Sequence, residues 1–250
     1  MIKKYKNFTP IFTILGKNED DIIKKINLNK SENVIYEIRI DSLMKEGISL
    51  NNIIYILNNI VSIFSEFEFL FTIRTTDEGG LIDLSKDYFT TWWEIYSKTT
   101  SQYIDLKYEA LKKDSKARYT LESLIDYNNT KVITSYHSFK KDFNINKTSD
   151  LILSMMGDFG DIIKIAIDIE EKNDVLLFMN YTHLLQDRLI SENKEAIFII
   201  MGDMGKISRV WPEYSNSKYM FYSLDNKKNN VGQISLEELE YYRGKIGLKN

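Results

Sequence analysis

The chain has 250 residues, 43% hydrophobic and 28% charged, with a formal net charge of -3. Such a length can bury a full core as one domain, and the charge gives no reason to expect nucleic acid or an anionic membrane as partner. With no cysteine there is neither a disulfide nor a thiolate metal site, which suits a reducing cytoplasm.

In chain order, the first apolar run is Pro10–Leu15. It is too short for the core of a signal peptide, and it leads straight into Lys17-Asn18-Glu19-Asp20-Asp21. No stretch approaches the ~20 apolar residues of a membrane span. Further β-rich runs follow at Val34–Asp41, Phe69–Arg74, Tyr103–Glu109, Lys131–His137, Asp161–Ile167, Ala196–Gly202 and Tyr219–Leu224. Segments of helical period lie between them. Ile53, Ile54, Leu57, Ile60, Val61 and Phe64 share one face, and Val175 to Leu185 carries Leu177, Phe178, Tyr181, Leu184 and Leu185. The last helix opens at Ser235, with Glu238 three residues on as a capping box and Leu239 and Tyr242 on its apolar face. Eight strands alternating with helices over residues 1–250 predict an α/β fold, a single-domain (β/α)8 TIM barrel. A doubly wound open sheet is the alternative. It usually carries a Gly-rich first turn, which Leu15-Gly16-Lys17 does not supply.

One lysine stands out. Lys164 lies inside Asp161-Ile162-Ile163-Lys164-Ile165-Ala166-Ile167, an apolar run that reads as a buried strand. Such a lysine must reach solvent, pair with a carboxylate, or lose its proton. A free lysine has a pKa of ~10.4, so a neutral amine at pH 7 needs a depression of ~3 to 4 pH units. A lysine so depressed is a Schiff-base nucleophile. The competing reading is a strand-end ammonium in water.

In a barrel the chemistry sits where the strands end. The second strand ends with Glu37, Arg39 and Asp41 on one face, Ile38 and Ile40 facing the other way. The third ends at Arg74, and its loop, Thr75 to Gly80, brings Glu78 back over the rim. The fifth ends at His137, the sixth holds Lys164, Arg209 follows the seventh, and Gln233 follows the eighth. Each has a plainer reading: Glu37 with Arg39 as a structural ion pair, Arg74 and Arg209 as surface arginines, His137 as a core histidine. His183, between apolar residues of a helix, reads as a core histidine. Gly202-Asp203-Met204-Gly205-Lys206 resembles a phosphate loop only weakly. Two distant histidines without HExxH spacing give no metal site.

Taken together, Glu37-Ile38-Arg39-Ile40-Asp41, Phe71-Thr72-Ile73-Arg74-Thr75 with Glu78-Gly79-Gly80, Ser135-Tyr136-His137-Ser138-Phe139, Asp161 to Ala166, Met201-Gly202 through Arg209, and Gly232-Gln233-Ile234 resemble type I 3-dehydroquinate dehydratase nearly end to end. The resemblance implies dehydration of 3-dehydroquinate to 3-dehydroshikimate in aromatic amino acid biosynthesis, with no cofactor. It implies that Lys164 forms the imine, His137 is the general acid/base and Glu78 orients it. Arg209 and Gln233 would then hold the substrate carboxylate side, and Glu37, Arg39 and Arg74 would face the ring hydroxyls. Three places depart from the family. Asn229-Asn230-Val231-Gly232-Gln233 replaces Ser-Ala-Pro-Gly-Gln, putting Asn229 where a substrate-contacting serine is usual. Lys107 stands where the fourth strand usually carries a carboxylate. Val210-Trp211-Pro212 replace small residues. A class I aldolase for a sugar phosphate and a non-catalytic binding barrel descended from the dehydratase are the alternatives. The expected partner is the small-molecule substrate, and a homodimer is compatible with the sequence.

Overall fold

The computed structural model describes residue 5 and residues 7–84, 87–224 and 233–245, leaving aside the side chains of 115–117 and 120. Short runs of Ile, Val, Phe and Tyr form strands because branched and aromatic side chains pack well on a pleated surface. Polar segments of helical period connect them. The order is β1 (Thr9–Ile14), α1 (Glu19–Leu28), β2 (Ile35–Arg39), α2 (Ile40–Lys45), α3 (Leu50–Ile63), β3 (Glu68–Thr72), α4 (Tyr88–Tyr96), β4 (Tyr103–Lys107), α5 (Tyr108–Lys113), α6 (Ser115–Asn128), β5 (Lys131–Ser138), α7 (Ile145–Met156), β6 (Ile162–Asp168), α8 (Lys172–His183), α9 (Gln186–Ser191), β7 (Glu195–Met201), α10 (Lys206–Val210), β8 (Tyr219–Ser223) and α11 (Leu236–Lys245). The strands form one parallel sheet in the order β7-β6-β5-β4-β3-β2-β1-β8, with helices between them, which is the (β/α)8 barrel topology of the α/β class. No helix among the described residues is long and apolar enough to cross a membrane.

The chain divides into two compact units. The first comprises Met1–Phe12, Ser31–Val34 and Thr134–Asn250. Here β6 and β7 pair in parallel from Ile162↔Glu195 to Asp168↔Met201, with Lys164 opposite Ile197. The Lys218 N–H donates to Ala196 O at 2.9 Å, which sets the start of β8 beside β7, the two ends of the strand order. The capping box of α11 is formed: the Ser235 N–H donates to Glu238 Oε2 at 2.9 Å, and the Glu238 N–H donates to Ser235 Oγ at 3.2 Å.

The second unit comprises Thr13–Lys30 and Ile35–Ile133. Its strands β2, β3 and β4 lie in parallel register, so that Arg39, Thr72 and Asp105 fall in one row. Ile53, Ile54, Leu57 and Ile60 of α3 are buried, as their period predicts. Among the described residues, four asparagines adopt left-handed backbone: Asn33, Asn129, Asn193 and Asn216, each just ahead of β2, β5, β7 or β8. Asparagine tolerates that conformation better than most residues, so part of the asparagine content has a local use in the turns.

Several expectations need correction. β2 stops at Arg39 and the backbone turns into α2, so Asp41 is helical and does not continue the strand face. β4 ends at Lys107, and Tyr108 and Glu109 belong to α5. On α8 the inward stripe is Val175, Phe178 and Thr182. Leu177 and Leu184 fall outside that stripe and are 42% and 71% exposed. His183 is exposed too, and so is not a core histidine. On α11 Tyr242 is 40% exposed while Arg243 is buried. Arg243 goes inward because it has partners there: it meets Glu213 at 2.9 Å, and its guanidinium lies over the rings of Tyr5 and Phe8.

Candidate active site

The second unit gathers a network of buried charge at the C-terminal ends of β2, β3 and β4. Glu37 is buried on β2 and accepts from Thr13 Oγ1 at 2.7 Å. Two residues on, Arg39 donates through Nε and Nη2 to both oxygens of Asp41. Just past β3, Arg74 donates through Nη1 to Glu78 at 3.2 Å and through Nη2 to Asp105 at 3.0 Å. Burial alone would discourage the Arg74 charge, but the carboxylates of Asp105, Glu78 and Glu37 more than restore it and hold its pKa above the ordinary value.

Glu78 reaches Arg74 because the chain doubles back tightly. Residues Thr76–Glu78 form a single 3-10 turn, and the Glu78 and Gly80 N–H groups both donate to Thr75 O, at 2.9 and 2.8 Å. Gly79 then takes φ 76°, and a Cβ on Gly80 would stand 1.8 Å from Arg74 O. Only the Gly-Gly pair lets the loop fold this closely over Arg74.

The fourth strand does carry a carboxylate. Asp105 sits buried on β4 and binds Arg74, while Lys107 pairs with the more exposed Asp77. Asp105 was therefore missed, although it lies on the same strand face as Lys107. Asp77 is held below the usual carboxylate range, because hydrogen bonds from Lys107 and Thr75 outweigh its partial desolvation.

The first unit holds the remaining candidates. Lys164 is only 3% exposed at the middle of β6, with its Nζ 3.9 Å from the centroid of the Phe221 ring. His137 lies half-buried near the end of β5, on the same face as the wholly buried Ser135. Gln233 is buried just before α11. Asn229 and Val231 fall outside the described residues.

Arg209 lies in the short helix α10, not in an open loop. Its Nη1 donates to Phe221 O at 3.3 Å, and its Nε is buried without a hydrogen-bond partner among the described residues. No carboxylate there pairs with it. Burial therefore pushes its pKa down to about 10, which still leaves a cation at neutral pH. A buried, under-bonded guanidinium is a ready receptor for an anion. Phe221, which meets both Lys164 and Arg209, was not singled out from sequence; a lone Phe in an apolar strand carries no signal. Among the described residues no group of three or more His, Asp or Glu is placed to hold a metal.

A family model described as type I 3-dehydroquinase matches residues 11–247. The chain belongs to that family. It is 31% identical to the 3-dehydroquinate dehydratase of Streptococcus pneumoniae (strain CGSP14) over 217 residues, covering 84% of this chain and 85% of that one. The type I 3-dehydroquinate dehydratase of Clostridium difficile, solved with covalent modified comenic acid, superposes with a TM-score of 0.81 at 26% identity. That match covers 96% of this chain and 92% of the other. The enzyme from Aquifex aeolicus VF5 matches with a TM-score of 0.73 at 26% identity, over 96% of this chain and 99% of that one. Of the residues singled out from the sequence, Glu37, Arg39, Arg74 and Glu78 lie in the second unit, and His137, Lys164, Arg209 and Gln233 in the first.

Proposed function

We propose that this chain dehydrates 3-dehydroquinate to 3-dehydroshikimate through an imine on Lys164, as a single catalytic domain acting in the cytoplasm in aromatic amino acid biosynthesis. The observation that carries the reading is the burial of Lys164 at mid-strand in a chain of this family. A lysine on a strand of Ile and Ala contributes little to packing that an apolar residue would not supply better, so its amine is the reason for its presence.

The Lys164 amine adds to the substrate ketone, and loss of water gives a protonated imine. His137 takes a proton from the adjacent carbon, and the electron pair moves to the imine nitrogen as an enamine. The pair returns to form the carbon–carbon double bond and expels the hydroxyl, which leaves as water with the proton from His137. Hydrolysis of the imine releases the enone and restores the amine. The imine is the electron sink, so the step calls for no metal or cofactor. Imidazole is the side chain that can both take and return a proton near neutral pH, which suits both transfers, and Glu78 serves to orient it. Arg209 and Gln233 take the substrate carboxylate side, and Asn229 is a further substrate contact. Glu37, Arg39 and Arg74 take the ring hydroxyls. Asp41 occupies Nε and Nη2 of Arg39, which leaves Nη1 for a hydroxyl.

Borohydride reduction in the presence of 3-dehydroquinate tests this directly. A stable adduct should appear on the peptide containing Lys164. No adduct, or one that survives Lys164→Met, removes the imine from the mechanism.

A further inference from the structure

Arg209 stands on a helix of only five residues, Lys206–Val210. A helix so short does not hold itself together, so its position depends on what ties down its ends. The N-terminal side is tied to β7. Ser208 Oγ donates to Gly205 O at 2.8 Å and accepts from the Ile200 N–H at 3.1 Å. A Cβ on Gly205 would stand 2.0 Å from Ile200 O, which shows how closely the backbones approach.

The C-terminal side presents carbonyls that the helix itself cannot satisfy. Two side chains fill this need. Tyr222 Oη donates to Arg209 O at 2.7 Å, and Arg243 Nη1 donates to Val210 O at 2.8 Å. Tyr222 is fully buried on β8, next to Phe221, whose carbonyl accepts from Arg209 Nη1. One strand therefore holds Arg209 twice: its backbone through Tyr222, and its guanidinium through Phe221 O.

We propose that Tyr222 is a positioning residue for Arg209, setting through its hydroxyl where the guanidinium meets the substrate carboxylate. The inference rests on the carboxylate-binding role given to Arg209 above. Burial pushes the Tyr222 phenol well above its ordinary range, so it remains an O–H donor at any working pH. Two-point recognition of a carboxylate depends on angle as well as distance. Loosening α10 should therefore impair carboxylate recognition before it affects chemistry at Lys164.

The test is Tyr222→Phe, which keeps the ring and its packing and removes only the hydroxyl. KM for 3-dehydroquinate should rise about three- to tenfold, the range expected from one lost buried hydrogen bond. Borohydride trapping at saturating substrate, and the affinity for an analogue of 3-dehydroquinate lacking the carboxylate, should not change. In an Arg209→Ala background, Tyr222→Phe should add no further loss of affinity. An unchanged KM with only a lowered Tm makes Tyr222 structural and overturns the proposal, as does an equal loss in the Arg209→Ala background. If Arg209→Ala leaves the preference for the carboxylated ligand intact, the reading of Arg209 itself falls.

Discussion

Asp41 grips the Arg39 guanidinium at two points, Oδ1 to Nε at 2.8 Å and Oδ2 to Nη2 at 2.7 Å, although Arg39 ends a strand and Asp41 begins a helix. The same carboxylate accepts the Arg74 and Leu81 N–H groups at 3.2 Å each. Four donors saturate a carboxylate, and together they pin the end of β2 to the backbone that follows β3.

Asp41→Ala should therefore lower stability by about 3 to 5 kcal/mol, because it leaves a buried guanidinium without its counter-charge and two backbone donors without an acceptor. Urea denaturation would show this, and a loss below about 1 kcal/mol would mean that the site refills with water at little cost.

The two charges at the end of β4 should behave differently. Asp105→Ala removes a buried partner of Arg74 and should cost about 3 kcal/mol or more. Lys107→Met breaks a pair whose Asp77 side chain is 64% exposed, and should cost about 1 kcal/mol or less. Equal effects in thermal unfolding would show that Asp105 has no special place in the network.

His137→Ala should lower kcat by about 10² to 10⁴ while leaving borohydride trapping on Lys164 intact. Turnover near that of the parent would take His137 out of the proton transfers and direct attention to Tyr136 or Glu78.

Arg209→Ala should lose most of kcat/KM, and Arg209→Lys should recover little, since a point charge cannot replace a planar fork. Full recovery by lysine would show that only net charge matters at this position.

Alkaline pH should weaken the fold through buried tyrosines. Burial, helped by Glu240, pushes the Tyr5 phenol from 10.0 up to about 12, and its Oη has no hydrogen-bond partner among the described residues. Below pH 10 both folded and unfolded chains keep the proton, and the contribution is fully present. Between about 10 and about 12 the unfolded chain loses its proton first, so stability falls as pH rises. Tyr5→Phe should flatten that fall between pH 9 and 11 without abolishing it, because Tyr96 and Tyr222 are also raised by burial. Identical urea midpoints for the variant and parent at both pH values would contradict this.

The alternation of eight strands with helices was legible because both periodicities are local properties of the chain. The strand runs match the observed strands to within two residues at every boundary, and the Ser235–Glu238 cap formed as its spacing required. Lys164 was legible for a related reason: a single charge in an apolar run is conspicuous without any neighbour to interpret it. What stayed hidden depends on contacts between distant segments. Asp105 and Lys107 share a strand face; the register sets Asp105 beside Thr72, two residues before Arg74, and only the reach of the Arg74 guanidinium to Asp105 makes that carboxylate its partner. Leu177 and His183 lie on, and Leu184 just past, a helix whose buried stripe is chosen by docking, not by composition. Tyr222 looks like one more apolar strand residue, yet its hydroxyl finds a carbonyl thirteen residues earlier. Side-chain type and period are written locally along the chain. Depth, pairing and the choice of inward face arise when strands and helices separated in sequence pack together, because the free energy of burying a charge is set by whichever groups then surround it.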